Sequence, residues 1–226
     1  LICLYFNEPD HAGHVYGESS KEVNEQIKIS DNILGYLIES LKKLDIYNNI
    51  NFIIVSDHGM VDVSEEKVVN IDDFNIPGTI HGKGPLMSVI DRDFSRGSSY
   101  DEKKSSIADI DIPNVTIVLS RENNDLHYHN QYYNFLLIAD EGWMLYTHNL
   151  LEEYDGKLPV KGMHGYLSDS MNMHAIFYAY GPQFKHNMQI DTFELIHIYP
   201  MLCKLLDISP YKGINGRLDV LQPILR

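Results

Sequence analysis

Phe52-Ile53-Ile54-Val55-Ser56-Asp57-His58-Gly59-Met60 is the stretch on which the reading of the fold turns. A continuous apolar run of four, closed by a turn signal, suits a short strand buried on both faces. Working upstream, the apolar positions Val23, Ile27, Ile33, Leu34, Leu37, Ile38, Leu41 and Leu44 mostly recur at three and four, which predicts an amphipathic helix over about 20–44. Ser19 or Ser20 is available to cap it, with Glu22 in the first turn. Further upstream, Leu1 to Phe6 is a second apolar run, ended by Asn7-Glu8-Pro9-Asp10 and read as another buried strand. Strand, helix and strand make a βαβ unit, so the expected class is α/β: a mostly parallel sheet covered by helices on both faces.

Downstream the pattern is less regular and reads as an insertion on that sheet. Short strands are expected at 86–90, 115–119 and 135–139, with a helix near Tyr100 to Ala108; residues 95–106 are polar and also suit a solvated loop. A strand is expected from Met173 to Tyr180, then a helix from Thr192 to Leu206 that Pro200 should bend or break. The chain has 226 residues with 44% hydrophobic content, enough for one sizeable core, so a single domain over 1–226 is expected.

Charge narrows the function. A net charge of -14 argues against binding nucleic-acid polymers, which relies on Lys and Arg neutralising phosphates. A phosphate ester could still be attracted by bound divalent cations, which reverse the local field, and eleven histidines are available to hold them. Two cysteines, Cys3 and Cys203, are too few for a disulfide framework. Asn114-Val115-Thr116 is a sequon, meaningful only in a chain that enters the secretory pathway. No apolar run reaches the roughly 20 residues of a membrane span.

Three clusters could carry chemistry, and each falls where a strand ends or a loop returns. Asp10-His11-Ala12-Gly13-His14 sets a carboxylate and an imidazole four apart, a spacing from which both can reach one cation. Asp57-His58-Gly59 places two metal-capable residues directly after an apolar strand, with a glycine that lets the backbone approach a ligand. Gly162-Met163-His164-Gly165-Tyr166 holds a histidine between two glycines. Each cluster alone is also what solvated turns produce. Together they supply two carboxylates and three histidines, a donor set suited to zinc, and two such ions about 4 Å apart can clamp an in-line phosphoryl displacement.

With those residues in view, the chain resembles the nucleotide pyrophosphatase/phosphodiesterase family of the alkaline phosphatase superfamily. The matching segments are Tyr5-Phe6-Asn7-Glu8-Pro9-Asp10-His11-Ala12-Gly13-His14 with Tyr16-Gly17, then Ile53 to Met60, then Gly162 to Tyr166 with Gly181-Pro182-Gln183-Phe184. Weaker matches are His127-Tyr128, Ile138 to Trp143, and Leu205-Leu206-Asp207-Ile208 with Asn215-Gly216. The resemblance implies an alkaline-phosphatase-like fold and two Zn2+ ions, one held by Asp10, His14 and His164, the other by Asp57 and His58. It implies hydrolysis of phosphodiester or pyrophosphate bonds through a phosphoryl-threonine intermediate, with the nucleophilic threonine and one more zinc aspartate upstream of Leu1. By that reading 1–226 is the C-terminal part of one catalytic domain and is inactive alone. Leu167-Ser168 departs from the Asp-Asn that family members commonly carry at that point.

The resemblance also implies a small phosphodiester or nucleotide substrate, and a protein secreted or tethered outside the cell by a membrane anchor beyond this chain. Tyr16, Tyr128 and Tyr132 are candidates to stack on a base or enclose a choline, against ordinary packing or exposure in a chain with 15 tyrosines. Rival readings are another metal-dependent member of the superfamily, such as a sulfatase or phosphonate hydrolase, a non-catalytic zinc-binding fragment, and an α/β domain with scattered surface histidines.

Overall fold

The computed structural model describes residues 1–91, 107, 109–119, 126–127 and 132–226. In chain order the helices are α1 (Asp10–Tyr16), α2 (Lys21–Leu41), α3 (His148–Glu153), α4 (Ile198–Leu205) and α5 (Leu218–Leu221). The strands are β1 (Phe52–Val55), β2 (Val61–Asp62), β3 (Val68–Asn70), β4 (Thr79–Lys83), β5 (Leu86–Ile90), β6 (Val115–Leu119), β7 (Phe135–Ala139), β8 (Met144–Tyr146), β9 (Gly162–Met163) and β10 (Phe177–Tyr180). They fall into two compact units, Leu1–Phe6 with Ile29–Asp57 and Ala175–Arg226, and Asn7–Lys28 with His58–His174.

In the first unit β1 pairs antiparallel with β10, from Phe52 opposite Tyr180 to Val55 opposite Phe177. One side of this ribbon packs, through Ile53, Phe177 and Ala179, on a core of Phe184, Met201, Leu221, Ile224 and Leu225. Pro200 does not break the closing helix. The chain turns first through a 3-10 segment, Leu195–His197, and α4 starts only at Ile198, so Pro200 lies in the first helical turn, where its missing N–H costs nothing. Gly216 lies so close to that segment that a Cβ there would stand 2.1 Å from the Ile196 carbonyl oxygen.

Two expectations are corrected here. Leu1 to Phe6 forms no strand, and all six residues are exposed; the described residues offer this segment no ladder partner, and a strand needs one for its backbone groups. The βαβ unit therefore lacks its first strand. The pairing is accordingly mixed rather than mostly parallel. Among the described residues β3 with β8 is the parallel pair, while the pairs β1–β10, β2–β9, β4–β5, β5–β7 and β6–β7 are antiparallel. Short connections dictate this: β4 turns into β5 through Gly84 and Pro85, a link that only antiparallel neighbours can use. The α/β mixture of sheets and helices stands.

The second unit is built on a four-stranded antiparallel sheet in the order β4-β5-β7-β6. All five β7 residues are buried, and β5 contributes Met87 and Val89 to the same core with Ile71, Leu145, Tyr166 and Met173. Strands 86–90, 115–119 and 135–139 have the bounds their apolar runs predict. Helix α2 is shorter than its apolar pattern, and Ser20 caps it by accepting the Val23 N–H at 3.1 Å. The expected Met173 to Tyr180 strand shortens to β10, because Met171–Met173 forms a 3-10 turn whose Asn172 N–H donates to the Ser170 hydroxyl. The helix expected near Tyr100 to Ala108 lies outside the described residues, Ile107 excepted.

Candidate metal centre

Helix α1 starts directly after Pro9, and the Glu8 carboxylate accepts the Ala12 N–H at 3.1 Å, so its first turn is closed by a side chain. Helical geometry from Asp10 places His14 one turn along on the same face. Gly162 then lets β9 lie against this helix. A Cβ on Gly162 would lie 2.5 Å from the Gly13 carbonyl oxygen, which is backbone, so that position has no room for a side chain, whereas one on Gly13 would lie 2.9 Å from the flexible tip of Met60 at Cε. The close approach lets the Lys161 N–H donate to the His14 carbonyl at 2.8 Å and brings His14 Nδ1 within 2.8 Å of the Gly162 carbonyl. Two residues after Gly162, His164 reaches Asp10.

Asp10, His14 and His164 thereby present three donor atoms, all within 4.8 Å of one another. Asp10 Oδ1 stands 3.5 Å from His14 Nε2 and 3.5 Å from His164 Nε2. A tetrahedral zinc with bonds of about 2.0–2.1 Å separates its ligands by roughly 3.4 Å, so these spacings suit one ion. Asp10 Oδ1 is also buried with no hydrogen-bond partner among the described residues. A buried carboxylate oxygen with no donor is costly, and a cation would satisfy it. The carbonyl of Gly162 fixes the tautomer of His14: Nδ1 carries the proton and donates, which leaves the Nε2 lone pair aimed at Asp10. No fourth His, Cys, Asp or Glu joins the group among the described residues.

His58 stands against this group. Its ring stacks on His164 with centroids 3.5 Å apart and planes 13° apart, and its Nδ1 lies 2.9 Å from the Gly59 carbonyl, again leaving Nε2 as the acceptor. Gly59 is required here, because a Cβ would fall 1.9 Å from the Asn172 carbonyl oxygen, and its N–H donates to the Met173 carbonyl at 3.1 Å. Asp57 ends the Ile29–Asp57 stretch of the other compact unit, and neither it nor His58 belongs to a three-donor group among the described residues. Tyr16 ends α1, half exposed, and Tyr132 is 74% exposed. Tyr128 lies outside the described residues.

One participant entered the sequence reading only inside the weaker match Ile138 to Trp143, with no role assigned. Glu141 accepts hydrogen bonds from the Ser170 hydroxyl and, at 2.6 Å, from the Asn172 side-chain amide. Those bonds hold its carboxyl below the usual carboxylate range. Beside it, the buried Tyr166 hydroxyl donates to the Trp143 carbonyl at 3.0 Å, and burial pushes that phenol up. The loop at 140–143 thus clamps the segment from Tyr166 to Asn172, which in turn carries the carbonyl against Gly59. No local pattern announces this; an acidic residue before a glycine looks like an ordinary turn.

The sequence profile of the type I phosphodiesterase / nucleotide pyrophosphatase family matches residues 1–167. The chain belongs to this family. Human bis(5'-adenosyl)-triphosphatase ENPP4 is 32% identical over 96% of the chain, and human ectonucleotide pyrophosphatase/phosphodiesterase family member 5 is 34% identical over 94%. The chain spans about half the length of these relatives, 46% and 44% respectively. The solved structure of human ectonucleotide pyrophosphatase/phosphodiesterase 5 matches 99% of this phosphodiesterase-family chain with a TM-score of 0.80 at 30% identity, and the match covers 58% of that protein's own chain. The same murine protein, as an inactive threonine-to-alanine variant in complex with AMP, matches with a TM-score of 0.79 over the same shares. The alkaline-phosphatase-like α/β fold therefore extends over nearly all of the chain.

Proposed function

We propose that residues 1–226 are the C-terminal part of a zinc-dependent catalytic domain that hydrolyses phosphodiester or pyrophosphate bonds in small substrates, nucleotides or choline phosphodiesters. The observation that carries this reading is the buried, donorless Asp10 Oδ1 set 3.5 Å from two histidine Nε2 atoms. Asp10, His14 and His164 would hold one zinc, and Asp57 and His58 would hold a second with a further aspartate from the preceding part of the protein. When bound, zinc supplies Lewis acidity that lowers the pKa of a hydroxyl or water and stabilises charge building on phosphorus. The chain's own contribution is to fix the donors: Gly162 holds His14 in the tautomer that accepts metal, Gly59 seats the turn bearing His58, and the Glu141 clamp steadies the segment after His164.

The nucleophile is a threonine preceding Leu1. An inactive threonine-to-alanine variant of the murine relative supports a threonine nucleophile. The adenosine compounds in the relatives' names and the AMP complex support a nucleotide-type substrate, and the net charge of -14 disfavours a nucleic-acid polymer. The ectonucleotide names support a place outside the cell, secreted or tethered by a segment beyond this chain. Among the described residues no helix is long and apolar enough to cross a membrane.

Zinc titration of the chain by calorimetry, with anomalous scattering at the zinc edge from soaked crystals, tests the centre without needing the nucleophile. Zinc beside Asp10, His14 and His164, lost in Asp10→Ala and His164→Ala, is expected. No zinc at an ordered triad would overturn the site. For the whole protein, cleavage of phosphodiesters in preference to monoesters and sulfate esters is expected, and the reverse preference would favour a sulfatase or phosphatase-like relative.

A further inference from the structure

The sequon takes no part in that hydrolysis, yet its placement is specific. Asn114 occupies the turn that leads into β6, with φ of 62, a left-handed conformation that asparagine tolerates better than most residues. Among the described residues the turn is held by backbone bonds: Val115 N–H donates to the Ile112 carbonyl at 3.2 Å, and Asp140 N–H donates to the Asn114 carbonyl at 2.8 Å. The half-exposed Asn114 side-chain amide makes no hydrogen bond among the described residues, and Thr116, two residues on, is exposed. This is the chain's one Asn-X-Ser/Thr sequence.

A second observation concerns the strand itself. Order β4-β5-β7-β6 leaves β6 at the margin of its sheet, with one side of its ladder unmatched by a strand among the described residues. Val115-Thr116-Ile117-Val118-Leu119 has high β propensity and no charge, so it lacks the lysine, proline or inward charge that natural edge strands use against edge-to-edge pairing. A bulky hydrophilic group at its first end would do the same job by excluded volume.

We propose that Asn114 carries an N-linked glycan that shields the β6 edge; this rests on the extracellular placement given above. The donor is a lipid-linked oligosaccharide diphosphate. Asn114 Nδ2 loses one proton and forms a bond to the anomeric carbon of the first sugar, the carbon–oxygen bond to the diphosphate breaks, and the lipid diphosphate leaves. The exposed Thr116 hydroxyl marks the acceptor to the transferase.

The test expresses the whole protein in eukaryotic cells behind a heterologous secretion leader, so that it meets the transferase whatever its natural address. Protein from cells and medium is digested with peptide N-glycosidase and mapped. Wild type and Thr116→Ser should show Asn114 converted to aspartate, while Thr116→Ala should leave it as asparagine. The unglycosylated Asn114→Gln should aggregate faster at equal concentration. An unmodified Asn114 in wild type from both fractions overturns the proposal, and a glycan whose loss leaves aggregation unchanged overturns the edge-shielding role. A parallel expression with the protein's own N-terminus reports on the extracellular reading separately: retention inside the cell counts against that reading, not against the acceptor.

Discussion

Replacing Gly162 by alanine probes how the metal centre is assembled without touching a donor. The added Cβ would sit 2.5 Å from the Gly13 carbonyl oxygen and 3.2 Å from Met60 Sδ. The first of these is roughly 0.9 Å short of ordinary van der Waals contact, and the obstacle is backbone, which cannot swing aside. Strand β9 must therefore retreat from α1 by a large fraction of an ångström, whereas metal–ligand distances tolerate about 0.2 Å. The retreat stretches the 2.8 Å contact that orients His14 and separates His164 from Asp10. Overpacking of this kind costs about 1–3 kcal/mol of stability, and loss of an orienting contact weakens metal binding about 10–100-fold. Gly162→Ala should thus bind zinc at least about tenfold more weakly by calorimetry, with a lowered Tm. Gly35→Ala is the matched control: mid-helix in α2 with nothing within 4 Å of its Cβ, it should gain about 0.5–1 kcal/mol and leave zinc binding unchanged. A Gly162→Ala protein with wild-type zinc affinity would refute the argument that glycine-mediated contact builds the site.

Other perturbations separate the remaining contributions. Gly59→Ala, whose Cβ would meet the Asn172 carbonyl at 1.9 Å, should displace His58 from His164 and be visible as a lost ring contact in a crystal structure; retention of the stack would show that the turn can relax elsewhere. The Glu141 carboxyl is depressed in the folded state, so its contribution is present above the usual value of 4.5 and is lost as pH falls through the lowered folded value. Chemical denaturation of Glu141→Gln against wild type should therefore show a gap near pH 7 that closes in acid, and a pH-independent gap would contradict the clamp. Tyr166→Phe removes the hydroxyl donated to Trp143 and should cost about 0.5–1.5 kcal/mol by the same assay. Leu137→Ala, in the wholly buried β7, should cost about 2–5 kcal/mol.

What the sequence by itself determined is local or chemical. Runs such as Leu86–Ile90 and Phe135–Ala139 became strands with the bounds their patterns predict, because five apolar residues between turn signals have few other ways to bury themselves. Ser20 was legible as a cap, and Asp10 with His14 as a pair on one helical turn, because spacing of four is a property of the helix. Pairing was not legible. Whether β1 lies beside Leu1 to Phe6 or beside β10 depends on which edges the rest of the fold brings near, and an apolar run does not encode its partner. Nor could the sequence bring His164 to Asp10 across 154 positions. That contact follows from Gly162, whose missing side chain lets β9 touch the backbone of α1 at Gly13, and the absence of a side chain has meaning only once the opposing backbone is in place.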